Sequence, residues 1–172
     1  MTVRKIMLFP ENKEILRAKA IHVHAMNQEV KRLIADLKDT LLACHDGMGL
    51  SAPQINKLLR IMVVRLETQS GLDNKAGSMV VFVNPEIIES GDEQKDFDGC
   101  LSIPGLYGET TRPHFLHITG LDEDGKPAEQ VFLGYSAAAV HHQIDHLNGV
   151  LFIDRVTTMK DLCQIQVDDS RR

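Results

Sequence analysis

The chain lacks any long apolar run. None approaches the roughly 20 residues that a membrane-spanning helix requires, so no membrane association is expected. The apolar stretch behind the N-terminus, Ile6 to Phe9, is too short for the core of a secretion signal. Cysteine is scarce as well. Cys44, Cys100 and Cys163 are scattered, which is not the pattern of a disulfide framework. Positive charge is in deficit: 19 Lys and Arg face 24 Asp and Glu, for a net charge of -5. That balance argues against direct nucleic-acid binding or an anionic membrane surface as the main interaction. No internal repeat and no low-complexity tract is visible. A cytoplasmic protein is expected, and 172 residues suit a single domain, 1–172.

What is present begins with ordinary globular content, 43% hydrophobic and 25% charged. Residues 4–9 read as a short strand closed by Pro10, and residues 11–26 as loop with one helical turn. Asn27 then has the side chain of a helix N-cap. Val30, Leu33, Ile34, Leu37, Leu41 and Leu42 recur at helical spacing, which predicts an amphipathic helix ended by Gly47. Gly47 to Gln54 reads as a tight loop whose glycines allow positive φ or close backbone approach.

Leu59 to Leu66 is a predicted strand, followed by a polar hairpin loop from Glu67 to Gly77. Met79 to Val83 is a second strand, ended by Asn84-Pro85, and Glu86 to Ser90 a short third. Gly91 to Asp96 is acidic and exposed in this reading. His114 to Leu121 and Ala128 to Leu133 are strands joined by a hairpin with Asp124-Gly125 at its turn. A helix over 135–148 follows, then an apolar stretch, 150–153, that packs back on the core. The tail from Lys160 to Arg172 has weak helical character. Strands in a meander before a late helix predict an α+β fold.

Chemistry concentrates in the late helix. His142 and His146 stand four residues apart, so both imidazoles lie on one helix face and can reach one metal ion. This is the spacing of hydrolytic zinc helices, but the position of the general base holds Gln143. By itself the spacing more often marks surface or packed histidines than ligands. Cys100, between Gly99 and Leu101 and bounded by Pro104, sits in a constrained turn or strand end. Cys44 and Cys163 read as inert thiols, since neither has ligand-forming company.

Three ordered stretches together resemble the peptide deformylase family: Gly47 to Gln54, Asp98 to Ser102 and His141 to His146. The likeness continues through Leu147 to Phe152, Asp122 to Pro127 and Arg112-Pro113, and so covers nearly the whole chain. It implies antiparallel sheets around a central metal-binding helix. It implies one divalent ion, Fe2+ or Zn2+, held by Cys100, His142 and His146. Gln54 and the Leu101 N–H would hold the developing oxyanion. Gly47, Met48, Gly49, Leu50 and Gly99 would pair with an extended peptide. Tyr107, Tyr135, Ala138 and Ala139 would also meet the substrate. The implied reaction removes the formyl group from N-terminal formyl-methionine of new, ribosome-associated peptides.

One thiolate and two imidazoles leave a fourth tetrahedral position open, as catalytic zinc sites do. A blue-copper site would need an axial methionine nearby, and none is clustered there. The chain departs from the family at four positions. Gln143 replaces the catalytic glutamate, His141 a glutamine, Asp98 a glutamate and Tyr107 an arginine. An amide can hydrogen-bond water but cannot take its proton, and losing that shuttle costs about 10²–10⁴-fold in rate. His141 is expected to face away from the ion, and Asp145 to make a structural bond, with Arg112 as a candidate partner. Two readings of function stay open: a deformylase with reduced activity, or an inactive relative that binds N-terminal peptides or small ligands.

Overall fold

The computed structural model describes residues 2–44, 46–68, 71–72, 79–156 and 162–164. After a one-turn helix α1 (Lys13–Leu16) comes α2 (Gln28–Ala43), then strands β1 (Gly49–Ser51) and β2 (Ile61–Arg65). A small pair, β3 (Glu67–Thr68) and β4 (Gly71–Leu72), stands apart from the main sheet. The long strands β5 (Met79–Cys100) and β6 (Ile103–Leu121) form its spine. They are followed by β7 (Pro127–Leu133), α3 (Gly134–Leu147) and β8 (Leu162–Gln164). The strand order is β1-β2-β5-β6-β7, with β8 also on β6, and every pairing is antiparallel.

β2 is buried along its whole length because a helix lies on each face of the sheet. On one face, Val30, Leu33, Ile34, Leu37 and Leu41 of α2 join Ile61, Val63, Val81 and Val83. On the other, Ala137, Val140, Ile144 and Leu147 of α3 join Met62, Val64, Phe82, Leu116, Ile118 and Phe132. The alternation of side chains along β2 assigns its residues to the two faces. Leu16, Ile103, Leu151 and Phe152 form a third cluster. The apolar stretch after α3 thus packs back on the core as expected. The result is the predicted α+β architecture around a central helix.

Asn27 caps α2 by accepting from the Val30 N–H at 3.0 Å. The Asp122 side chain organises the β6–β7 hairpin by accepting from the N–H groups of Asp124 and Lys126. Other expectations are corrected. Residues 4–9 form no strand: Met7 and Phe9 donate singly to Gln54 O and Ser102 O, at 2.8 and 2.9 Å, without a ladder. α2 ends at Ala43, before Gly47, because the buried Arg65 guanidinium caps the carbonyls of Leu41 and Cys44.

The stretch 47–54 is no mere loop. It contains β1 and a 3₁₀ turn from Ala52 to Ile55. The strands expected at 79–83 and 86–90 are one strand. Asn84, at φ 54°, makes an irregularity in the ladder instead of a stop. Its amide exchanges bonds of 2.8 and 2.9 Å with the Val23 backbone, which holds that conformation. Leu162–Gln164 is strand rather than helix, since it completes the β6 ladder; the rest of the tail expectation lies outside the described residues, apart from this strand. The expected hairpin after β2 is seen as the β3–β4 pairing, and its remainder also lies outside the described residues.

Candidate metal centre

Three elements supply the site. β5 ends at Cys100, where the ladder with β6 slips between Gly99 and Cys100 and Leu101-Ser102 form the turn. α3 passes behind that turn with His142 and His146 on one face. The 3₁₀ turn after β1 presents Gln54. Cys100 Sγ stands 3.1 Å from His146 Nε2, and the two Nε2 atoms are also 3.1 Å apart. All three donor atoms lie within 4.8 Å of one another.

The chemistry of this set fits a divalent ion. Burial favours the neutral thiol, but the two imidazoles outweigh it and bring the Cys100 pKa down to about 5. Burial likewise opposes a charged His142, yet Asp98 and Cys100 raise its pKa to about 9. The protons shared here are those that an ion displaces on binding. Asp98 Oδ1 lies 2.9 Å from His142 Nδ1, which directs Nε2 at the cluster.

Behind the donors sits Arg112, almost fully buried. It donates to Asp98 Oδ2 at 2.7 Å through Nε and to Asp145 Oδ2 at 2.9 Å through Nη1. Arg155 adds bonds of 2.5 and 2.6 Å to Asp145. Burial would raise both carboxyls, but these cations, with His142 for Asp98 and His141 for Asp145, hold them below the ordinary range. Asp145 is therefore engaged structurally and stands outside the donor cluster, as the sequence indicated. His141 Nδ1 lies 2.8 Å from Arg112 Nη1, away from the donors. Burial, with Arg112 and Arg155 and against Asp145, lowers its pKa to about 4, so it is neutral at pH 7.

Gln54 is buried beside Cys100. Its Oε1 accepts from Ser51 N and Oγ at 2.9 and 3.0 Å, and its Nε2 donates to Ser102 Oγ at 3.2 Å and faces Cys100 Sγ at 3.7 Å. Gln143 is 4% exposed, and its Oε1 has no hydrogen-bond partner. Its side chain lies on Gly49, where a Cβ would sit 2.8 Å from Gln143 Cγ, so the close approach at this glycine is to a side chain of the same chain. Gly47 packs against Leu101 and Leu41, and a Cβ on Gly99 would meet the Tyr107 ring at 2.6 Å. Leu50 is buried, and the Met48 carbonyl accepts from Arg65 N at 2.8 Å.

The structure thus brings Cys100, His142, His146 and Gln54 together, with Gln143 on the backbone of β1. Ala138 is buried, Ala139 packs on the apolar cluster under the sheet, and Tyr135 is exposed at the first turn of α3. Arg155, Ser51 and Ser102 were not singled out in the sequence. The signal for Arg155 was Asp145, a carboxylate in an apolar helix that needs cations around it.

The polypeptide deformylase family model matches residues 3–162. The peptide deformylase of Thermomicrobium roseum is 40% identical over 156 residues, spanning 91% of this chain and 87% of that protein. A peptide deformylase crystal structure from Legionella pneumophila superposes with a TM-score of 0.83 at 36% identity, covering 93% of this chain and 89% of that one. Another, from Synechococcus elongatus in complex with actinonin, gives 0.79 at 34% identity, with coverage of 91% and 80%.

Proposed function

We propose the roles of individual residues from one premise: the chain belongs to the polypeptide deformylase family. Its function is peptide deformylation, removal of the formyl group from N-terminal formyl-methionine, and its cofactor is one divalent ion, Fe2+ or Zn2+. The observation that carries the reading is the convergence of Cys100 Sγ, His142 Nε2 and His146 Nε2. These three atoms would hold the ion. When bound, such an ion polarises a carbonyl oxygen and makes nearby water more acidic.

The remaining steps belong to the chain. β1 is the edge strand of the sheet, so its side away from β2 would pair with an extended formyl-methionyl peptide. Gly99 and Tyr107 would flank the other side of the peptide, and Tyr135, Ala138 and Ala139 on α3 would meet its methionine side chain. Gln54 Nε2 and the Leu101 N–H stabilise charge developing on the formyl oxygen. Asp98, fixed by Arg112, keeps the His142 ring in its tautomer. Gln143 orients water but takes no proton, so turnover is slow. His141, held neutral by burial and Arg112, does not replace it. The chain works as one domain in the cytoplasm on peptides emerging from ribosomes. Among the described residues no helix is long and apolar enough to cross a membrane.

The test is turnover of formyl-methionyl peptides by anaerobically prepared, iron-loaded protein beside Gln143→Glu. The variant is expected to be faster by about 10²–10⁴-fold. Equal rates would remove the proton-shuttle argument. Metal analysis of Cys100→Ser is expected to show loss of most of the ion, and full occupancy would refute the ligand assignment.

A further inference from the structure

On the α2 side of the sheet, a cavity of about 600 Å³ lies between residues 21–25 and the first half of α2. That volume is within the usual range of ligand sites. The cavity shares no residue with the donor cluster or with residues 47–54. Its apolar lining comes from Val23, Val30 and Leu33, which are buried, and from Leu59, which is partly buried.

The backbone beside it is held on alternate residues. Ile21 N donates to Leu58 O at 2.8 Å, and Ile21 O accepts from Arg60 N at 2.9 Å. Val23 N donates to Asn84 Oδ1 at 2.8 Å, and Val23 O accepts from Asn84 Nδ2 at 2.9 Å. In extended chain, neighbouring residues direct their N–H and C=O groups to opposite sides. His22 and His24 fit that alternation. Both are exposed, both line the cavity, and their rings lie 5.3 Å apart. Among the described residues their backbone N–H and C=O groups have no partner. Such a row of free groups is a template for an added strand.

Charge selects what would be added. Arg4 is taken up by Asp36, whose Oδ2 accepts from Arg4 Nε and Nη2 at 2.8 and 2.6 Å. Arg32 and Lys57 line the same cavity, and among the described residues neither side chain has an ion-pair partner. Glu29 is the one other carboxylate in the lining, so the cavity keeps an excess of positive charge. The chain as a whole carries a net charge of -5. An acidic segment is therefore repelled by most of the surface and attracted here.

We propose that this groove docks an extended acidic peptide segment of a partner protein. The segment pairs with the free backbone of His22 and His24. Its acidic side chains meet Arg32 and Lys57, and the apolar residues alternating with them face Val30, Leu33 and Leu59. The surface is separate from the metal centre, so docking there does not depend on deformylation.

The test is an NMR titration of the isotope-labelled, zinc-loaded full chain with acetyl-Glu-Val-Glu-Val-Glu-amide. The amide signals of His22, His24, Arg32 and Lys57 are expected to move, and those of Leu101 and Gln143 to stay in place. Arg32→Gln combined with Lys57→Gln should weaken binding by about five- to tenfold, and Glu29→Gln should tighten it by about two- to threefold. All three side chains are exposed, so the variants keep the fold. Two further peptides carry backbone N-methyl groups, one on both valines and one on the central glutamate and its neighbour two residues on. Pairing along one edge requires one of them to lose at least about tenfold in affinity and the other to keep it. No shift at His22 and His24 with millimolar peptide overturns the proposal. Equal binding of acetyl-Lys-Val-Lys-Val-Lys-amide removes the acidic preference and overturns it as well. Equal affinity of the two N-methylated peptides rules out strand addition and leaves a site for small organic anions instead.

Discussion

Helices α2 and α3 lie on opposite faces of one sheet, but they bury different things. The inner face of α2 is mostly aliphatic: Val30, Leu33, Ile34, Leu37 and Leu41, joined by Asp36 and Thr40 toward the N-terminal segment. α3 buries Ala137, Val140, Ile144 and Leu147, and with them His142, Gln143, Asp145 and His146. A helix that only packs needs no consecutive polar residues in the interior, where each must find a partner or destabilise the fold. α2 makes the sheet rigid from one side. α3 brings a charged network to the other side, and the donor cluster stands on it. The difference locates function by burial: chemistry sits where polar groups are withdrawn from water and tied to one another.

Arg112→Leu should break that contrast most severely. It leaves Asp98 with His142 alone as ion-pair partner and Asp145 without one of its two arginines. Removing one partner of a buried ion pair typically costs about 3–5 kcal/mol. Urea denaturation should show a loss in that range, together with weaker zinc retention, because Asp98 no longer fixes His142. A stability change below about 1 kcal/mol would mean the network is not what holds α3.

Leu37→Ala tests the other helix. Leu37 is fully buried between α2 and the sheet, and a Leu-to-Ala change in a core costs about 2–5 kcal/mol. Here the metal content of the folded protein should stay as in the native chain. If ion and stability are lost together below the unfolding transition, the two faces are coupled and the division of labour is wrong.

These two substitutions also mark what could be read from the sequence. α2 was legible because its signal is periodic and local: an N-cap at Asn27 and leucines at helical spacing. The donor set was legible in part: His142 and His146 share a helix turn, but that spacing alone is weak, and Cys100 joined them only through the family resemblance of its turn. Arg112 was reached only as a possible partner of Asp145. Its links to Asp98 and His141, and those of Arg155, join residues 10 to 29 positions apart, and no period encodes them. The unbroken β5 was illegible for another reason. Asn84-Pro85 is a stop signal in isolation, and bonds to the backbone of Val23 and Arg60, both distant in sequence, hold Asn84 at positive φ. The end of α2 likewise depends on Arg65, brought in from β2.

The smallest expected effect comes from an ion pair outside the buried network. Asp154 follows α3 in the 3₁₀ turn Phe152–Asp154 and pairs with Arg17. Its Oδ2 also accepts from Leu151 N at 2.9 Å. Partial burial would raise the carboxyl, but Arg17 and that N–H outweigh it and hold the pKa below the ordinary value. A carboxylate depressed in the folded state stabilises fully above its unfolded pKa of about 3.8, and the contribution fades as pH falls through the folded value. Both side chains are more than a third exposed, so the pair should contribute only about 0–1 kcal/mol. Asp154→Asn keeps an oxygen for the Leu151 N–H and removes only the charge. Its stability deficit should therefore be small at pH 7 and shrink toward zero as pH falls below the ordinary carboxyl range. Measuring both proteins by thermal unfolding at pH 7 and pH 3 decides the matter. A deficit that persists undiminished at pH 3 would show that the contribution is geometric and not ionic. A deficit above about 2 kcal/mol at pH 7 would place Asp154 with the buried network, and would extend the polar side of the comparison beyond α3.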